Sequence, residues 1–258
     1  MPRTDGSVQS VERALEVLEE VARSSSGLGI SELSARTKLG KSTVHRLITA
    51  LRLRGFVVQD RTSGKYKLGI RLFEVGSLAL RQMGIETDVL KVIEDLCEAY
   101  NETINLAVLD HTDIIYVAQA QSSRPLRMGL RVGTRVPAYC SALGKAILAY
   151  MPREEARRIF EASSPRAYTP NTIIDTEIFL AHLDRIRRIG YSIDNEEYFE
   201  GIRCVGAPII DKTGKVQAAI SLAGPSIRIT MDRMETIAED LKAAAEKIAR
   251  GFAVGLAI

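Results

Sequence analysis

The sequence contains no tryptophan, only 5% aromatic residues and three cysteines in 258 residues. Cys97, Cys140 and Cys204 are far apart and form no Cys-x-x-Cys pair, which argues against a disulfide scaffold and a zinc knuckle. No uncharged stretch reaches the roughly 18 residues of a membrane span, and the N-terminus lacks the apolar segment of a signal peptide. We therefore expect a cytoplasmic protein with no membrane, metal or other cofactor, whose cores consist mainly of Leu, Ile, Val and Ala.

Charge is distributed unevenly along the chain. The first 83 residues contain 14 Lys and Arg against 8 Asp and Glu, whereas the remainder contains 21 against 24. At about 150 residues per domain, the length itself suggests two domains. A basic N-terminal module therefore precedes a slightly acidic body, which favours a polyanionic partner for the first part. A solvated basic face without a partner is the alternative on charge alone.

Three helices are predicted in the basic part. Apolar residues at helical spacing predict a first helix over 11–22, and a short second helix over 32–37 follows Ser31 as its N-cap. A third helix is predicted from Lys41 to about Arg54. The short break before it contains Gly40, which we expect to adopt a positive φ.

A hairpin is predicted next, formed by Phe56–Asp60 and Lys65–Leu68 around a turn that contains glycine. Alternation along the second strand points Tyr66 and Leu68 inward. Three helices followed by a basic hairpin are typical of a winged helix-turn-helix, which we assign to residues 1–69.

The third helix is the candidate DNA-reading element, because the second helix of a helix-turn-helix pair enters the major groove. Arg46 can donate two parallel hydrogen bonds to a guanine edge, and Ser42 and Thr43 are suited to phosphates. The predicted DNA-binding residues are Lys41, Ser42, Thr43, His45, Arg46, Arg52, Lys65 and Lys67. The alternative is a polar helix face that has no partner.

The residue pattern after position 69 indicates first a helix and then, from Thr103, a mixture of strands and helices. Residues 70–84 form a helix so apolar that we expect a second subunit to cover it with the same helix. From Thr103 onward, strands flanked by helices predict an α+β domain over 85–258. Within it, a strand is expected over 126–132 and a helix over 141–151.

Catalytic signals are weak. The three histidines are scattered and form no His-Glu-x-x-His motif. Gly144-Lys145 resembles the end of a phosphate-binding loop, but the flanking residues that such a loop requires are absent. A Cys140 or Cys204 nucleophile paired with His182 is the catalytic alternative, although a buried cysteine more often serves packing.

Polar residues in unusual places suggest a ligand pocket in the second domain. Ser141 opens a helix whose free N–H groups favour an anion, Asp194 lies in an acidic segment before a strand, and Ser221 interrupts an apolar strand. The alternative is a capping serine, a solvated acidic loop and a buried serine bonded to its neighbour.

Several motifs, taken in order, resemble the IclR family of bacterial transcriptional regulators over nearly the whole chain. They are Lys41–Leu47, Tyr66–Gly69, Val136–Ala146, Gly190–Glu197, Gly201–Cys204 and Ala219–Pro225. The resemblance implies a winged helix, a linker helix over 70–84, and an effector domain that resembles GAF (profilin-like) domains and has an antiparallel sheet. It also implies homodimers or homotetramers on palindromic operators.

The resemblance further implies an effector pocket. Its positions correspond to Met128, Ala142, Leu143, Asp194, Cys204 and Ser221, beside Ser141 at the helix start. Ala142, Leu143 and Ala223 stand where the glyoxylate- and pyruvate-responsive member has Gly, Ala and Ser. We therefore expect a small organic acid larger or more apolar than glyoxylate. The stretch Tyr139–Ser141 is more similar to regulators of aromatic-acid or sugar-acid catabolism.

We expect Asp194 to be ionised and to accept a hydrogen bond from an effector hydroxyl or a water, because two carboxylates would repel. The sequence thus predicts a repressor controlled by a small organic acid. The alternatives are an activator of the same family and a small-molecule-binding enzyme with an accessory DNA module.

Overall fold

The computed structural model describes residues 8–85 and 87–250, so the ends of the predicted domains 1–69 and 85–258 lie outside the described residues. The chain divides into two compact units, Met1–Ala79 and Leu80–Ile258. The division falls inside the helix that the sequence pattern sets apart as a linker. No helix in the described ranges has the length and apolar character needed to cross a membrane.

The first unit is a helical domain with a small hairpin. Its elements are α1 (Gln9–Ala22), α2 (Ile30–Thr37), α3 (Lys41–Leu53), β1 (Val57–Gln59), β2 (Tyr66–Leu68) and most of α4 (Ile70–Gln82), whose last turn belongs to the second unit. The two strands pair antiparallel, and Leu28 adds a bridge to Tyr66. Eight side chains form the core: Val17, Val21, Leu28, Leu33, Val44, Ile48, Val57 and Tyr66. The fold class predicted for this part, a winged helix-turn-helix, is confirmed.

Two turn expectations in this unit are wrong. The left-handed residue of the break is Lys38, with φ 56°, whereas Gly40 has φ −60° and is the N-cap of α3. The N-cap of α2 is Gly29 rather than Ser31, because the Glu32 carboxylate accepts the Gly29 N–H at 2.8 Å. Glu32 thus satisfies the N–H of the N-cap residue itself, and Ser31 lies inside the helix.

The burial of side chains in the hairpin and in α4 differs from what the sequence pattern predicts for a single chain. Tyr66 is buried, but Leu68 is 45% exposed, because β2 crosses the core only at its Tyr66 end. None of the residues of α4 is buried within the single chain, and Phe73 is 71% exposed. The apolar surface of α4 is therefore left uncovered by its own unit.

Over residues 87–250, the second unit contains five α-helices and a six-stranded sheet. The helices are α5 (Thr87–Tyr100), α6 (Ala142–Leu148), α7 (Arg153–Ala162), α8 (Thr176–Ile189) and α9 (Met234–Ala249). The strands are β3 (Thr103–Asp110), β4 (Asp113–Ala120), β5 (Arg135–Pro137), β6 (Ser192–Asn195), β7 (Ile202–Ile210) and β8 (Val216–Pro225). The sheet order is β5-β4-β3-β8-β7-β6, and every pair is antiparallel.

Helices cover both faces of this sheet. On one face, α5 and α9 pack over alternate residues such as Leu106, Val205 and Ile220. On the other face, α6 lies directly on β7 and β8, α8 packs against α6, and α7 packs against α8. Both faces of the central strands are therefore buried, which confirms the predicted α+β class with an antiparallel sheet.

The strand expected over 126–132 is not formed. That stretch belongs to an irregular segment, residues 121–134, and the edge strand is instead Arg135–Pro137 paired with Asp113–Ile115. Of its alternating apolar residues only Met128 is buried, where it packs on Ala142, Cys204 and Ala223, whereas Leu126 and Val132 are exposed. We call residues 121–134 the covering segment.

Candidate functional site

The exposed face of α3 carries most of the predicted DNA-binding residues. Val44 and Ile48 are buried one turn apart, which directs the intervening positions to solvent. Lys41, Ser42, His45, Arg46 and Arg52 are exposed, and Thr43 is half-buried. The first turn of the helix therefore presents hydroxyl, imidazole and guanidinium groups together.

The two hairpin lysines are held by carboxylates. Lys65 pairs with Glu32 of α2 at 3.2 Å, and Lys67 pairs with Asp60 at 3.3 Å. Hydrogen bonds from Ser63, and then from Lys67, keep the pKa of the Asp60 carboxyl well below its usual value. Because exposed ion pairs contribute at most about 1 kcal/mol, either lysine can exchange its carboxylate for a phosphate at little cost.

A cavity in the second unit brings together all seven residues predicted to bind the effector. The space between its walls is about 250 Å³ including open solvent, and about 10 Å³ of it can hold the centre of a water-sized sphere. Its ten lining residues are Tyr116, Met128, Val136, Ser141, Ala142, Leu143, Asp194, Tyr198, Cys204 and Ser221. Sequence patterns did not single out Tyr116, Val136 or Tyr198, because a tyrosine or valine near a strand looks like ordinary core.

Strand register explains why distant polar residues meet. Asp194 of β6 lies opposite Cys204 of β7, which in turn lies opposite Ala223 of β8. Ser221 lies opposite Gly206, two positions along the same face. The row of small side chains leaves space beneath α6, and this space is the cavity.

Two glycines allow α6 to lie close to its neighbours, Gly144 to the turn before the helix and Gly206 to the sheet. A Cβ on Gly144 would lie 2.2 Å from the Ala138 carbonyl oxygen, and a Cβ on Gly206 would lie 2.9 Å from the Ala142 carbonyl oxygen. Ser192 then donates a hydrogen bond to that Ala142 oxygen at 2.6 Å. The helix is shorter than expected, Ala142–Leu148, and its N-cap Ser141 accepts the Gly144 N–H at 3.0 Å.

A buried ion pair lies behind the cavity wall. Lys145 of α6 has no exposed surface and pairs with Glu197, and its ammonium also donates to the Ile193 carbonyl. The lysine that resembled part of a phosphate loop is therefore a structural cation inside the domain. Sequence analysis missed Glu197, although its spacing of three from Asp194 places both carboxyl groups in one tight turn.

Asp194 is the ionisable group of the wall that departs most from ordinary behaviour. Its carboxyl is 4% exposed and accepts the Glu197 N–H at 2.7 Å. Burial raises the pKa of Asp194 to about 7, against the opposing attraction of Lys145. Near neutral pH the neutral and ionised forms of Asp194 are therefore both populated.

The cysteines lack the features of a nucleophile. Burial raises the pKa of the Cys140 and Cys204 thiols, and burial lowers the pKa of His182 to about 4. A reactive cysteine requires the opposite, a thiolate stabilised by a nearby cation. The Cys140 thiol donates a hydrogen bond to the Pro137 carbonyl, so Cys140 serves the packing of the domain.

Comparison with known proteins identifies the family of both domains. Residues 10–61 match the IclR helix-turn-helix domain, and residues 77–250 match the bacterial transcriptional regulator IclR C-terminal domain. The chain belongs to the IclR family. The first match includes all of α3 but ends before Lys65 and Lys67, and the second includes all ten cavity residues.

Relatives of IclR type cover almost the full chain. The HTH-type transcriptional regulator KdgR of Escherichia coli is 37% identical, over 94% of this chain and 92% of the relative. The transcriptional repressor IclR of the same organism is also 37% identical, over 93% and 89%. An IclR homologue from Microbacterium hydrocarbonoxydans, crystallised with 4-hydroxybenzoate, has a TM-score of 0.81 at 28% identity, over 94% and 98%.

Membership in the IclR family identifies the chain as a DNA-binding transcriptional regulator rather than an enzyme. Within the described residues, no group of three His, Cys, Asp or Glu side chains is placed to hold a metal ion.

Proposed function

We propose that this regulator is a repressor that binds a palindromic operator and is controlled by a small organic acid bound in the cavity beneath α6. The observation that carries the proposal is the meeting of all seven predicted effector residues in one cavity. The relatives include a transcriptional repressor, which supports repression over activation.

The cavity favours an acid that carries apolar bulk. Met128, Val136 and Leu143 supply hydrocarbon, and Tyr116 and Tyr198 supply aromatic rings with hydroxyl groups. Such a wall suits a substituted ring or a short polyol chain better than a two-carbon acid. An aromatic acid or a sugar acid is the proposed class, and the 4-hydroxybenzoate complex of the Microbacterium relative supports the former.

DNA recognition is assigned to the exposed start of α3, with Arg46 as the base-reading residue. Ser42, Thr43 and Lys41 would contact phosphates, with His45 and Arg52 on the same helix, and the hairpin lysines Lys65 and Lys67 would contact the backbone beside the groove.

A second copy of the chain is the proposed cover for α4. Ile70, Phe73, Val75 and Leu78 are all exposed in the single chain. A homodimer, or a homotetramer built from two dimers, would bury this apolar surface and present two copies of α3 to a palindrome. In functional terms, residues 1–69 bind DNA, residues 70–84 dimerise, and residues 85–258 bind the effector.

The proposal is tested with an operator selected by the protein from a random DNA library. A thermal-shift screen with aromatic and sugar acids identifies ligands, and each ligand is then titrated into the protein–operator complex. We expect a stabilising acid to lower operator affinity in the wild type but not in Ser221→Ala, whose operator affinity without ligand is unchanged. Acids that stabilise the protein without changing operator affinity would contradict effector control. An acid that raises operator affinity would indicate an activator or a co-repressor mechanism.

A further inference from the structure

The wall of the effector cavity contains an acid where an acid is expected to bind. Among the residues that the structure describes, the ten lining the cavity include Asp194 but no Lys, Arg or His. An anionic effector would therefore meet a carboxyl group and no free cation. Either the ligand is not an anion or Asp194 is not charged when the ligand is bound.

The nearest cation does not resolve this conflict. Lys145 is already paired with Glu197, so the buried cluster contains one cation and two carboxyl groups before any ligand enters. A further buried anion would leave two uncompensated negative charges in a medium that screens them poorly.

The other groups that face Asp194 add no positive charge. Cys204 from β7 lies directly opposite it, Tyr116 approaches from β4, and Cys140 approaches from the turn before α6. On its own loop, the N–H groups of Glu197 and Tyr198 point toward the carboxyl. Because burial keeps these thiols and phenols neutral, Asp194 is the group whose protonation can balance a ligand charge.

We propose that Asp194 binds the effector in its neutral acid form, donating its O–H to a carboxylate of the ligand, so that effector binding takes up one proton from solvent. This inference rests on the proposed function and specifies the ligand as a carboxylate anion.

Binding by this route transfers one proton from solvent to Asp194. No covalent bond forms or breaks between heavy atoms, and the proton that Asp194 gains at binding remains shared between two carboxyl groups. Two carboxyl groups in contact hold one proton between them because both cannot stay ionised. The resulting O–H···O⁻ hydrogen bond is charge-assisted and is stronger than one between neutral groups.

The protonation of Asp194 is measurable without any ligand. We would record infrared difference spectra between the wild type and Asp194→Asn as a function of pH. Asparagine keeps the acceptor for the Glu197 N–H, so this variant is expected to fold, which its melting temperature checks. We expect a neutral carboxyl C=O band at low pH that disappears as the pH rises through about 7, the pKa of Asp194. If the band is already absent at about pH 5.5, Asp194 is an ordinary carboxylate and the inference is overturned.

Proton uptake is then measured by calorimetry in buffers of different ionisation heat, with 4-hydroxybenzoate and gluconate as the probes. We expect uptake near one proton per ligand at about pH 8.5, falling toward zero at about pH 6. Affinity should fall about tenfold per pH unit above pH 7 in the wild type and should not depend on pH in Asp194→Asn.

The infrared and calorimetric measurements together distinguish the protonation of Asp194 from effector control. A probe that binds the wild type without proton uptake overturns the inference and leaves effector control standing. Failure of both probes to bind contradicts the proposed effector classes, while the infrared measurement still decides the state of Asp194.

Discussion

Glu102 and Arg228 are joined by two hydrogen bonds, from the guanidinium Nε and Nη2 atoms to the two carboxylate oxygens, the second at 2.8 Å. Glu102 is buried immediately before β3, and Arg124 of the covering segment adds a third contact at 3.2 Å. Arg228 also donates to the Leu126 carbonyl at 2.9 Å. This cluster therefore fastens the covering segment, which places Met128 in the effector cavity.

We expect Glu102→Gln to loosen the covering segment. Replacing one partner of a buried ion pair leaves the other without compensation, which typically costs about 3–5 kcal/mol, although the partial exposure of Arg228 reduces this cost. Hydrogen–deuterium exchange should rise over residues 121–134 and remain unchanged in α3. The matched control is Arg153→Ala, which breaks an exposed pair with Asp184 and should cost less than about 1 kcal/mol. Equal exchange in Glu102→Gln and wild type would show that the Glu102–Arg228 pair does not hold the segment.

Arg46→Ala should lower both affinity and specificity for the operator. The loss of a bidentate base contact costs about 1–3 kcal/mol and relaxes the choice at one base position. Lys67→Ala should instead weaken operator and random DNA alike and reduce the salt dependence of binding, since it removes a backbone contact. Binding isotherms on both DNAs at several salt concentrations distinguish the two. An unchanged ratio of specific to random binding in Arg46→Ala would rule out base reading by this residue.

Gly144→Ala should disrupt the effector domain, whereas Gly129→Ala should not. The added methyl group would overlap the Ala138 backbone at Gly144, but it meets nothing within 4 Å at Gly129 in the covering segment. Overpacking against backbone costs about 1–3 kcal/mol or more. Denaturant unfolding of both variants provides the comparison. A Gly144→Ala protein as stable as Gly129→Ala would mean that α6 shifts easily away from the turn before it.

Asp194 should make the effector domain less stable at high pH. Its pKa is about 7 when folded and near 3.8 when unfolded, so the folded state holds the proton more tightly. Its contribution is therefore complete below about pH 4 and is lost as the pH rises through 7, at about 1.4 kcal/mol per pKa unit. Asp194→Asn should remove this loss and be relatively more stable at pH 8 than at pH 5. Unfolding midpoints of both proteins at the two pH values check this, and parallel pH profiles would contradict it.

Residues 80–258 should fold alone and be more stable than residues 85–258. Leu80 and Met83 of the linker pack against the core under α5. Removing two half-buried side chains should cost about 1–2 kcal/mol by the loss of apolar contact area. Melting temperatures of the two proteins measure this difference in stability. If they melt together, the boundary of the folded domain lies at or after Ile85.

The winged helix could be predicted because its signals are local. The buried pair Val44 and Ile48 repeats with the helical period, and Gly55 ends α3 with φ 78°. The order of the helices is also the reason that α3 is proposed as the DNA-reading helix. Leu68 was assigned wrongly because alternation gives the face of a strand but not how far the core extends beneath it.

The covering segment shows the limit of periodicity more clearly. Alternating Leu126, Met128 and Leu130 resemble a strand, yet these residues form no strand, and the Leu130 carbonyl accepts a side-chain hydrogen bond from Gln119 of β4. Whether an alternating stretch pairs with a sheet or lies across it depends on neighbours that are distant in sequence.

The sequence by itself determined the two-domain plan, the helix proposed to read DNA and the seven residues proposed around the effector, because helix periods, turn residues and motif order are properties of neighbouring positions. Only the tertiary structure decided what those seven residues face and which of them are charged. The pKa of Asp194 depends on its burial and on its distance from Lys145, which is itself neutralised by Glu197. Those quantities arise when β6, β7 and α6 pack together, and electrostatic energy in a buried site depends on that packing rather than on the order of residues.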